Sequence, residues 1–118
     1  MAIPHAGPAE VVDIRPLGPR LAEAITTTLL KTHAVEVLRM VLPAGKQVPA
    51  HAVPRETIIQ CLEGRVEVRT DDRSSTLDAG HLLYLEGHQT HDLHATEASS
   101  VLVTILLEHK ADEPGASR

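Results

Sequence analysis

Two histidines far apart in the chain, His51 and His91, occupy matching surroundings. Residues 45–64 read GKQVPAHAVPRETIIQCLEG and residues 80–95 read GHLLYLEGHQTHDLHA. In each stretch a glycine is followed by turn residues, a histidine and a short extended run, so each unit sets one imidazole near a bend between strands. An imidazole hydrogen-bonds through either ring nitrogen and changes charge near neutral pH. A converging pair can therefore hold a small polar ligand or a water. The single cysteine, Cys61, shares a strand face with Thr57 and Ile59 and reads as a small core residue. A nucleophilic role would need an adjacent base, for which His51 or His91 across the barrel is the only plausible partner.

The elements that must carry these residues are short. Residues 11–15 form an apolar run closed by Pro16, Gly18 and Pro19, which predicts an edge strand followed by turns. Residues 21–30 are ambiguous between helix and strand, with strand favoured from Thr27 onward because the threonine run prefers extended backbone. Residues 34–42 (AVEVLRMVL) predict a strand stopped by Pro43, Ala44 and Gly45. Residues 57–62 and 65–70, joined at Glu63 and Gly64, predict a hairpin. Strands follow at 75–77, 81–85 and 91–95, with polar turns between them. Residues 100–107 are nearly all apolar, which predicts a strand buried on both faces. Short strands at regular spacing and no long helix point to an all-β antiparallel sandwich or barrel. Residues 1–10 read as a flexible leader, 11–107 as one domain and 108–118 as a charged, fraying tail.

Composition narrows the partners. At 118 residues there is room for one core and no second. The net charge of −5 and the scatter of its 11 basic residues leave no footprint for nucleic acid. Tyr84 is the one aromatic residue besides the histidines, so a pocket offers no stacking platform and suits small aliphatic or polar ligands. No window reaches membrane-spanning length, and a lone cysteine fits a reducing compartment, so a cytoplasmic protein is expected. The apolar run at 100–107 and the edge-type first strand predict a homodimer paired through sheet edges or faces.

The two glycine-to-histidine units resemble the two motifs of the cupin superfamily, over roughly residues 35–107. In the first motif a glycine, five residues and His-x-His lead through a glutamate to a closing glycine. Gly45, His51 and Gly64 match that frame; the second histidine falls on Val53 and the glutamate on Thr57, with Glu56 one residue early. In the second motif Gly80 and His91 match, whereas the usual proline, glycine and asparagine fall on Glu86, His88 and Ala95. The resemblance implies a jelly-roll barrel, the double-stranded β-helix, with a pocket lined by His51, Val53, Thr57 and His91. It also implies a divalent metal (zinc, iron, nickel or manganese) on His51 and His91, with oxygenase, isomerase or hydrolase chemistry open to such an ion.

Only two of four usual ligands are kept, and two neutral imidazoles alone hold a divalent ion weakly. A firm site needs a third donor, for which Glu56 or His88 is the candidate. On a strand, His94 faces away from His91, and so does Glu56 from Thr57 unless the chain bulges there. The strand direction of His81 is open; His5, His33 and His109 carry no weight. Three readings stay open: a small-molecule cupin with a depleted metal site, a non-catalytic binding or sensing module without metal, and a degenerate cupin retained as an oligomerisation unit.

Overall fold

The computed structural model describes residues 5–107; the expected tail at 108–118 and the first four residues lie outside them. Among the described residues, two turns of 3-10 helix, Gly18–Glu23, precede nine strands: β1 (Thr27–Lys31), β2 (Val35–Leu42), β3 (Gln47–His51), β4 (Thr57–Glu63), β5 (Arg65–Thr70), β6 (Ser74–Asp78), β7 (Leu82–Leu85), β8 (His91–Ala95) and β9 (Ser99–Leu106). They form two antiparallel sheets, ordered β1-β2-β9-β4-β7 and β3-β8-β5-β6. This is the all-β antiparallel two-sheet architecture that the strand spacing predicts, in the jelly-roll form that the resemblance implies.

Period-two alternation builds the core. Thr57, Ile59 and Cys61 on β4, Val66 and Val68 on β5, and Leu93 and Ala95 on β8 all point inward and are buried, while their neighbours face out. Each full burial of an aliphatic side chain of this size stabilises by about 1.5–3 kcal/mol relative to exposure. Leu42, Leu77, Leu85, Val101 and Val103 complete the cluster.

The structure departs from the sequence reading at four elements. β4 and β5 are not a hairpin: β4 pairs with β7 and β9, whereas β5 pairs with β6 and β8. The turn at Gly64 instead carries the chain from one sheet to the other. Its φ of 86° is left-handed, and a Cβ there would run into the Ala98 carbonyl and Ser99. Residues 11–15 are not a strand, because Arg39 occupies the carbonyls a partner strand would need; its guanidinium donates to Arg15 O (3.0 Å) and Asp13 O (3.1 Å). β3 is a strand the sequence reading passed over, Pro49 being tolerated because β3 is a sheet edge. Finally, β9 is buried on both faces only at its start, where Ser99 and Ser100 are enclosed: beyond it Val101 and Val103 stay enclosed, but Leu102 and Thr104 are half-buried and Leu106 is exposed, since the outer face of the five-stranded sheet lies partly open.

The leader is tied to the body at Ala6, whose N–H donates to Leu29 O at 2.8 Å. Further on, the Leu17 and Gly18 amides donate to the Glu63 carboxylate at 2.9 and 3.0 Å.

Candidate functional site: a histidine pair at the barrel mouth

Four strand ends meet at one end of the barrel. His51 closes β3, Thr57 opens β4, Leu85 closes β7 and His91 opens β8, and the loops 52–56 and 86–90 join them in pairs. Thr57 lies opposite Leu85, and His51 opposite His91 after an irregularity between Val48 and His51. The two loops are stitched together: His88 N–H donates to Val53 O at 2.7 Å, and Gly87 packs against the Pro54 carbonyl so closely that a Cβ would not fit. A rigid rim is thereby made from residues of both sequence motifs.

The two imidazoles converge on this rim. Their ring centroids are 4.4 Å apart with the planes tilted by 53°. His91 is buried and His51 exposed, so one ring closes the barrel interior and the other meets solvent. Their wiring is repeated: His51 Nδ1 lies 3.0 Å from Pro49 O, and His91 Nδ1 lies 3.0 Å from Gln89 O, each carbonyl two residues earlier. A carbonyl only accepts, so each Nδ1 carries its proton, and in the neutral ring Nε2 keeps its lone pair. Burial lowers the pKa of His91 from its usual 6.5; the Gln89 carbonyl and Asp92 oppose this and the charge of His51 adds to it. At neutral pH His91 is therefore a hydrogen-bond acceptor, or a base, at Nε2.

A third polar atom belongs to this end. Thr57 is 4% exposed, and its Oγ1 has no hydrogen-bond partner. A buried hydroxyl left unpaired costs free energy, so such an atom calls for a partner that the chain does not supply. It stands where the cupin motif has its glutamate.

The other sequence candidates are placed elsewhere. Val53 is half-buried in the rim and contributes its carbonyl to His88. Glu56 is exposed, with its carboxylate 3.8 Å from Arg55. His88 is exposed at a left-handed φ of 62°. His94 sits on the opposite face of β8 from His91, as alternation predicts, and exposed His81 accepts from the Asp78 amide through Nδ1. Among the described residues no three His, Cys, Asp or Glu side chains come together in a way that could hold a metal ion. With His51 and His91 alone, the donor set does not fit a firmly bound divalent ion. Cys61 is enclosed among the core residues, and burial raises its thiol pKa, which disfavours the thiolate. What the sequence reading missed is the pair of orienting carbonyls; their two-residue offset in both motifs is the signal that was there to find.

A family model described as Cupin domain matches residues 38–106. Among solved structures, a cupin superfamily protein from Desulfitobacterium hafniense superposes with a TM-score of 0.71 at 18% identity, covering 83% of this chain and 95% of that one. A conserved protein of unknown function from Streptococcus pyogenes gives a TM-score of 0.71 at 20% identity, covering 92% and 96%. An RmlC-like cupin from Desulfovibrio desulfuricans gives 0.64 at 25% identity, covering 70% and 80%. No curated protein matches the chain.

Proposed function

The chain belongs to the cupin family, and on that premise we propose that it binds a small, hydroxyl-rich aliphatic molecule at the barrel mouth, between His51, His91 and Thr57. The observation that carries this reading is the unpartnered Thr57 hydroxyl at the same end as two imidazoles whose Nδ1 atoms are both spent on carbonyls. Two lone pairs and a hydroxyl favour a ligand that donates hydrogen bonds, and the lack of aromatic walls favours a saturated one. Val53 belongs to the same mouth. A cytoplasmic setting suits the lone buried cysteine, and among the described residues no helix is long and apolar enough to cross a membrane.

Titration with glycerol, erythritol and xylose, followed by backbone amide shifts, tests the site. Saturable shifts at 51, 57 and 91 are expected, weakened at least tenfold in His91→Ala and Thr57→Val. Equal shifts from the O-methylated analogues would sink the reading.

The metal-dependent alternative is tested separately. Protein purified without a histidine tag, stripped with chelator and exposed to zinc, iron, nickel or manganese is expected to retain none stoichiometrically after dialysis. One equivalent retained by the native chain and lost in both His51→Ala and His91→Ala would move the function to metal-dependent chemistry.

We also propose a homodimer, formed through the open outer face of the five-stranded sheet, where Ile58, Leu82, Tyr84 and Leu106 are exposed.

A further inference from the structure

Outside the barrel, between the segment 13–25 and the outer face of β1 and β2, lies a cavity of about 650 Å³. That is the size range of small-molecule sites. Leu17, Ile25 and Leu29 give it an apolar body, and Arg39 stands in its wall.

Arg39 is 6% exposed. Of its five N–H donors, two go to the carbonyls of Arg15 and Asp13. No carboxylate forms an ion pair with it among the described residues. The carboxylates that feel its charge are already engaged: Asp13 is held by Arg15 at 2.8 Å, and Glu63 by Ser100 and the Leu17 and Gly18 amides. Arg39 thus has only carbonyls as hydrogen-bond partners, and its nearest carboxylates are committed to other donors, so the buried guanidinium keeps N–H groups to spare. Once Asp13 and Arg15 cancel, the charges lining the cavity are Arg39 and Arg20 against Glu23, a surplus of one positive charge.

We propose that this cavity is a second ligand site, distinct from the histidine mouth, for a small aliphatic monocarboxylate. The carboxylate takes the unused donors of Arg39, and the chain lies along Leu17, Ile25 and Leu29. The planar guanidinium suits a carboxylate bidentately.

The probes are hexanoate and decanoate, with hexanamide as the neutral control, titrated into the full chain and followed by amide shifts. Saturable shifts confined to residues 13–29 and 39 are expected for both acids, with decanoate the tighter and hexanamide without effect. Arg39→Met should weaken hexanoate at least tenfold and Arg20→Glu should weaken it several-fold, whereas the His51→Ala chain should bind it as the native chain does. Should Arg39→Met fail to fold, Ala24→Trp, which fills the cavity wall from a half-exposed position, must abolish binding. Equal binding of hexanamide, shifts confined to 51 and 91, unweakened binding in Arg20→Glu together with Ala24→Trp, or no saturation with either acid would each overturn the proposal.

Discussion

Thr57 carries opposite consequences for stability and for binding. Its hydroxyl is buried without a partner, and such a group typically costs about 1–3 kcal/mol. Thr57→Val keeps the shape and removes the orphan, so the variant is expected to be more stable by about 1 kcal/mol. A higher urea midpoint at unchanged m-value would check this; a lower midpoint would show that the hydroxyl has a partner in solution. His91 gives a pH signature. Because burial lowers its folded pKa below 6.5, the unfolded chain binds more protons in the window beneath 6.5. Its contribution to stability is thus full above about 6.5 and is lost as pH falls toward the lowered folded value. Unfolding free energies between pH 5 and 8 should fall on the acid side, and less steeply in His91→Gln. An identical slope in that variant would assign the titration to another group.

Among the elements, the corner at Gly64 is the least replaceable. Placing alanine at its left-handed φ and against the Ala98 carbonyl and Ser99 combines backbone strain with overpacking. Gly64→Ala is expected to cost about 2–4 kcal/mol, measurable by denaturant unfolding. A loss below about 1 kcal/mol would mean that the corner shifts freely. The same corner shows where sequence reading stops. Glycine after Glu63 announces a turn, but the identical turn chemistry serves a hairpin or a step between sheets, and which one follows depends on β9 arriving between β2 and β4. β3 was hidden because a proline inside a run argues against a central strand and says nothing about an edge. By contrast, β2 and β8 were legible, since alternation and clean stops are local. The histidine pair was legible through repeated spacing. The Arg39 cavity was not, because the burial of a charged residue depends on a segment some two dozen positions away.

At the scale of the molecule, the outer face of the five-stranded sheet is the surface left to explain. Tyr84 lies across from Ile58 and Ile58 across from Thr104; one row further, Leu82 faces Gln60 and Gln60 faces Leu102. Three adjacent strands therefore present two mostly apolar rows ending at the β7 edge, with Tyr84 67% and Leu82 60% exposed. A patch contiguous across strands, rather than scattered single side chains, is what an isologous contact between two copies uses. Light scattering at micromolar concentration is expected to give twice the 12.7 kDa of one chain. Tyr84→Glu would bury a charge without a partner in such a contact, so that variant should scatter as a single chain with an unchanged circular dichroism spectrum. Its tyrosine emission cannot serve as the readout, because Tyr84 is the only tyrosine; in the native chain, dilution through the dissociation range should shift that emission as the ring becomes wetter. A native mass of 12.7 kDa at micromolar concentration, or a Tyr84→Glu chain that still doubles, would place the contact elsewhere or remove it.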